Sequence, residues 1–283
     1  MKKKTVVAIM YDFDKTLTTA DMQEYTFIPN LGMKSQEFWE KANVLAKTEK
    51  MDSILAYMKL MLEESGKKNK PVRREDFVAL GGGLEYYPGV LTWFDSINHI
   101  GKDLGITLEH YIISSGMKEI IEGSAIGKNF KEIYASEYLY DINGVASWPK
   151  LAVNYTAKTQ FLFRINKGVL EVSEDRKLND YTPEDNRIIP FRNMIYIGDG
   201  LTDVPCMKLV KNNGGKSIAV HKKGDFFICK KLMRENRINF FEEADYNKEG
   251  KLFALVSLIL QKMKSEDELE ALHKDMAEKA GKE

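Results

Sequence analysis

The apolar run Val6-Val7-Ala8-Ile9-Met10-Tyr11 has no polar break, the pattern of a strand buried on both faces. It stops abruptly at Asp12-Phe13-Asp14-Lys15-Thr16. Similar runs predict further strands near Ile112, Ile133, Ile195 and Ile218. Between the first two strands the period changes. Phe38, Trp39, Ala42, Leu45 and Ala46 recur at helical spacing, as do Ile54, Leu55, Met58, Met61 and Leu62. Asp52 is placed to cap the second of these helices. A short helix is predicted over Arg74 to Leu80. Further helices are predicted over Val90 to Gly101, Met117 to Ser124, Lys158 to Lys167 and Leu252 to Met263. Asn143-Gly144 between aromatic and β-branched residues predicts a hairpin from Glu137 to Trp148. Strands alternating with helices imply an α/β fold with a parallel sheet and a helical insertion after strand 1.

Composition adjusts this picture only slightly. With 283 residues, 43% hydrophobic and 30% charged, the chain can bury a large core and keep a charged surface. Lys+Arg and Asp+Glu are both 42, so a broad nucleic-acid footprint is not expected. The longest apolar runs are too short to span a membrane. The run after Met1-Lys2-Lys3-Lys4 is too short for a signal peptide. Cys206 and Cys229 have neither metal nor disulfide spacing, and a reducing, cytoplasmic setting is expected.

Chemistry concentrates where the strands end, the place where open α/β sheets bind ligands. Asp12 and Asp14 follow the first strand. Ser114-Ser115-Gly116 follows the second. Gly198-Asp199-Gly200-Leu201-Thr202-Asp203 follows the one near Ile195. Paired carboxylates there suit a cation or a nucleophile with an acid beside it; solvated turns are the plainer alternative. Ser-Ser-Gly suits a phosphate at a helix start, or simply a capping turn. Lys158 opens a helix, where a cation opposes the macrodipole. It is therefore not placed for helix stability, although a solvated lysine also fits. Gly81-Gly82-Gly83 could line an anion site but reads better as a flexible hinge. The histidines His99, His110, His221 and His273 form no metal-like cluster.

In this order and spacing, Asp12-Phe13-Asp14-Lys15-Thr16, Ser114, Lys158 and Gly198-Asp199-Gly200-Leu201-Thr202-Asp203 resemble the four motifs of the haloacid dehalogenase superfamily. The resemblance covers about residues 5 to 260. It implies a three-layer Rossmann-like core from 1–19 and 84–264, with a charged tail at 265–283. The helical cap, at 20–83, resembles that of the phosphoserine phosphatase subgroup. It implies Asp12 as a nucleophile that forms an aspartyl-phosphate and Asp14 as general acid and base. An Asp two residues after the nucleophile suits phosphatases and phosphomutases, not dehalogenases. The resemblance further implies Mg²⁺ held by Asp12, the backbone carbonyl of Asp14, and Asp199. Asp203 would support the metal's waters, and Ser114 and Lys158 would bind the phosphate. Asp21 lies roughly where phosphoserine phosphatases carry a substrate-sensing Glu. Ser115 and Met117 depart from the Gly- and Phe-like residues usual there, so phosphoserine itself is not inferred.

The expected activity is Mg²⁺-dependent hydrolysis of a small phosphorylated metabolite, without nucleic-acid or membrane partners. Two alternatives remain: a phosphotransferase or mutase using the same intermediate, and a non-catalytic protein that binds a phosphorylated ligand. Pure binding would have no need of Asp14.

Overall fold

The computed structural model describes residues 5–281; Met1 to Lys4, ahead of the first strand, lie outside them. Seven strands form one sheet: β1 (Val6–Tyr11), β2 (Thr107–Met117), β3 (Glu132–Tyr140), β4 (Ala146–Leu151), β5 (Met194–Gly198), β6 (Lys216–His221) and β7 (Phe240–Glu243). Their order is β4-β3-β2-β1-β5-β6-β7. Every pairing is parallel except β3 with β4, the hairpin around Asn143-Gly144. Gly144 takes a left-handed φ of 72° there, which glycine adopts without strain. The Asp141 carboxylate closes the turn by accepting from the amides of Asn143 and Val145.

The described residues form twelve α-helices: α1 (Met22–Tyr25), α2 (Phe27–Asn30), α3 (Ser35–Glu49), α4 (Ser53–Lys67), α5 (Arg74–Leu80), α6 (Val90–Asp103), α7 (Lys118–Glu122), α8 (Lys158–Lys167), α9 (Asp175–Asn179), α10 (Val204–Asn212), α11 (Phe227–Arg234) and α12 (Lys251–Ala280). Strand alternation on β1 divides them into layers. Val7, Ile9 and Tyr11 pack with α6, α7, α12 and the helices between β1 and β2. Ala8 and Met10 pack with α8, α10 and α11. This is the three-layer Rossmann-like arrangement, with the helical insertion after β1.

Several expectations change in detail. Gly81–Gly83 is a 3₁₀ turn, not an open hinge: a Cβ on Gly81 would stand 2.4 Å from the Gly123 carbonyl carbon, so glycine allows close backbone packing here. The inserted helices share one apolar core with the sheet, Phe27, Phe38, Met58 and Phe77 joining Val7 and Ile9. The charged tail continues α12 to Ala280 in one helix. It is laced by i,i+4 pairs such as Lys264–Glu268 and Lys279–Asp275, and Asp267 accepts from Asn193. Residues 168–190, between α8 and β5, contain α9 and are tied down by the buried Arg164, which donates to the Glu171 and Val172 carbonyls.

Candidate active site

β1 is the strand from which the chain first builds toward β2 and β3 and later toward β5, β6 and β7, so its carboxyl end lies at a topological switch point. Asp12 leaves that end, its amide donating to the Ile197 carbonyl of β5 at 2.9 Å. Lys15 has a left-handed φ of 56°, and the chain folds back so that the amides of Leu17 and Thr18 donate to the Phe13 carbonyl. The turn holds Asp12 and Asp14 together at the head of the strand. Asp14 accepts from the Met22 amide at 2.8 Å.

β2 loses its register with β3 between Ile113 and Met117. At that break Ser114 is fully buried, and its Oγ accepts from the Gly116 amide at 3.0 Å. Its hydroxyl hydrogen is thus available to a ligand. Gly116 has no room for a side chain: a Cβ would lie 2.9 Å from Asp14 Oδ2 and 2.2 Å from Met22 Cε. Gly198 does the same on β5, where a Cβ would meet Asp203 Oδ2 at 2.6 Å.

Lys158, the first residue of α8, is 1% exposed, so a solvated role is ruled out. Its Nζ lies 2.8 Å from both Asp12 Oδ1 and Asp203 Oδ1. The two carboxylates override the helix dipole. Asn154 caps the turn before α8 by accepting from the Ala157 amide. The same side chain donates to Asp52 Oδ2 at 2.6 Å, and Asp52 Oδ1 caps α4. The inserted helices are thereby fastened to the helix that delivers Lys158.

Asp12, Asp14, Ser114, Lys158 and Asp199 line one cleft of about 220 Å³. Asp203 stands behind it, fully buried, and accepts from Tyr196 Oη at 2.8 Å. Burial, then the Asp203 charge, pushes Asp12 up to about 7, against the opposing pull of Lys158. Asp14 is raised well above the usual carboxylate range by burial and by Asp21 and Asp12. Asp199 is raised well above it by burial, Asp203 and Asp12. Burial alone would lower Lys158, but Asp12 and Asp203 outweigh it and keep the ammonium charged.

Such crowding around one buried lysine leaves more carboxyl groups than cations to pair with them. Ligand oxygens of Asp12, Asp199 and Asp203 all lie within 4.8 Å of one another. An all-carboxylate set fits a hard divalent cation such as Mg²⁺ and not a soft metal.

The chain matches the haloacid dehalogenase-like hydrolase family over residues 9–208, more than half its length. It belongs to that family. The hydrolase is 30% identical over 285 residues to an uncharacterized protein of Borreliella burgdorferi, covering 89% of this chain and 95% of the other. Its fold is similar to that of a HAD-family hydrolase from Salmonella enterica serovar Typhi, with TM-score 0.55, 19% identity, and 86% and 69% of the two chains covered. It is equally similar to a substrate-bound phosphoserine phosphatase, with TM-score 0.55, 14% identity and coverage of 87% and 96%. Among the described residues of the hydrolase, no helix is long and apolar enough to cross a membrane.

The rest of the cleft lining was not legible in the sequence. Gln23, Trp39, Ile54, Tyr57 and Tyr155 form it, with Asp21 and Lys15 paired at 2.6 Å beside them. Tyr57 Oη donates to the Ser115 carbonyl at 2.5 Å. Outside this lining, Glu24 accepts from Trp39 Nε1, and Arg74 pairs with Glu122. Nothing in local patterning distinguishes Gln23 or Tyr196 from ordinary helix and strand positions.

Proposed function

We propose that this hydrolase is a Mg²⁺-dependent phosphatase of small phosphomonoesters that works through an aspartyl-phosphate on Asp12. The observation that carries the reading is the convergence of Asp12, Asp14, Lys158 and Asp199 in one cleft at the end of β1. Residues 1–19 and 84–264 are the catalytic core in this reading, and 20–83 is a cap that walls the substrate from water.

Lys158 favours the ionised form of Asp12 against the effect of burial and, with the Ser114 hydroxyl, meets phosphate oxygens. An Asp12 carboxylate oxygen attacks phosphorus, and the bond from phosphorus to the ester oxygen breaks. Asp14, whose raised affinity for a proton suits a donor, protonates the leaving oxygen. In the second half Asp14 takes a proton from water. The water oxygen bonds to phosphorus, the bond to Asp12 breaks, and inorganic phosphate leaves. Splitting one displacement into two is what a carboxylate nucleophile provides. Asp12, the backbone carbonyl of Asp14, and Asp199 would hold Mg²⁺, with Asp203 supporting its waters. When bound, the cation offsets repulsion between these acids and the phosphate.

Hydrolysis of a generic aryl phosphate tests the reading. Phosphate release that requires Mg²⁺, stops with a chelator and vanishes in Asp12→Asn is the expected result. Release unaffected by the chelator or by Asp12→Asn contradicts it.

A further inference from the structure

Besides its charged groups, the cleft carries polar groups that act by hydrogen bonding alone. Gln23 is 2% exposed and lines the cleft, yet its Oε1 has no hydrogen-bond partner. Ser115 Oγ, on the same cleft, is likewise buried without a partner. A buried amide oxygen left unpaired destabilises the free protein, so an amide here in place of an apolar side chain points to a ligand that pairs with it. An amide both donates and accepts, which matches a hydroxyl. The remaining surfaces are the rings of Trp39, Tyr57 and Tyr155 and the Ile54 side chain.

Charge narrows the choice further. Among the described residues lining the cleft, the cations are Lys15 and Lys158, and both are engaged. Lys158 bridges Asp12 and Asp203, and Lys15 pairs with Asp21. A carboxylate or second phosphate on the substrate would stand near the Asp21 carboxylate and the aromatic rings, where the Lys15 ammonium is already paired. The cleft, at about 220 Å³, is also smaller than the roughly 300–1,000 Å³ of drug-sized sites.

We infer that the substrate is the phosphomonoester of a small hydroxylated alcohol with no second anionic group, and that Gln23 reads its hydroxyl. The inference rests on the phosphatase reading and names the substrate class of that same site. It makes Gln23 a specificity residue for the leaving group, with no part in phosphoryl transfer.

The test compares kcat/KM for glycerol phosphate, propyl phosphate and phosphoglycerate, in wild type and in Gln23→Met, with an aryl phosphate as reference. Wild type favours glycerol phosphate over each of the other two by about tenfold or more, the scale set by a buried polar group that loses its partner. In Gln23→Met the glycerol-to-propyl ratio falls to about one, because neither substrate then meets an amide. The midpoint of thermal unfolding of the ligand-free variant rises, because an unpaired buried amide has been removed. An unchanged ratio, a preference for phosphoglycerate, or a large drop in the unfolding midpoint overturns the inference. So does turnover of the aryl phosphate with none of the three alkyl esters, although the phosphatase reading then stands. If wild type hydrolyses none of the four, the phosphatase reading fails and this inference fails with it.

Discussion

Tyr11 and Asp12 are neighbours at the end of β1, yet each centres a buried polar cluster of a different kind. Around Tyr11 the groups pair in a closed neutral chain. Trp93 Nε1 donates to Tyr11 Oη at 2.8 Å, Tyr11 Oη lies 3.0 Å from His110 Nδ1, and His110 Nε2 lies 3.1 Å from Asn98 Oδ1. With the imidazole proton on Nε2, each donor has an acceptor, and Phe94 and Phe130 seal the edges. Around Asp12 the acids outnumber the cation that pairs with them. Lys158 is shared between Asp12 and Asp203, while Asp14 and Asp199 lack a cation at that distance among the described residues. Buried polar groups that satisfy one another hold a fold together. Buried charge left in excess calls for something from outside.

That contrast can be broken by mutation, and the largest effect belongs to the open cluster. Asp12→Asn is expected to lower kcat on the order of a thousandfold or more, as loss of a nucleophile does. The fold is retained, because crowding among the acids is relieved. Activity assays paired with circular dichroism check both halves. Lys158→Met leaves Asp12 and Asp203 buried without their cation. A loss of about 3–5 kcal/mol in denaturant-derived stability is expected, together with loss of activity. A stability change near zero would mean that the ammonium is not what holds these acids.

The closed cluster responds to pH in a predictable direction. Burial pushes His110 down to about 4 from the ordinary 6.5. Between those values the unfolded chain binds a proton that the native protein does not, so this contribution to stability is complete above pH 6.5. It is lost as pH falls toward 4. The stability advantage of wild type over His110→Gln should therefore shrink by on the order of 3 kcal/mol from pH 7 to pH 4. An advantage that does not change across that window would contradict a neutral buried imidazole. The smallest effect is expected for Tyr11→Phe, which orphans Trp93 Nε1 and His110 Nδ1. A cost of about 1–3 kcal/mol is expected in urea unfolding, with turnover kept within a few-fold.

Much of the fold was legible because buried parallel strands are unbroken apolar runs. β1 and β5 were found from their own residues, and the acids and glycines after them marked the site. Lys158 was suspicious because it opens a helix, where a lysine works against the dipole. β7 was not found: Phe240 to Glu243 is short, half-buried throughout and lacks alternation. α11 was missed because its eight residues have a charged face that reads as loop. The continuity of α12 past Lys264 depends on ion pairs and on docking of Asp267, which apolar spacing does not record. Gln23 and Tyr196 gain their meaning only from what faces them across the fold, Tyr196 from Asp203 and Gln23 from an open cleft.

The central claim is that the excess buried charge serves a covalent phosphoryl intermediate on Asp12. Its most direct test is to trap that intermediate. The hydrolase, with Mg²⁺ and an aryl phosphate, is quenched in acid during turnover and reduced with borohydride, and its peptides are read by mass spectrometry. An acyl phosphate is reduced to the alcohol, so the account predicts homoserine at position 12 and none in the Asp12→Asn variant. Steady phosphate release with Asp12 unmodified, or reduction at another carboxylate, would contradict it.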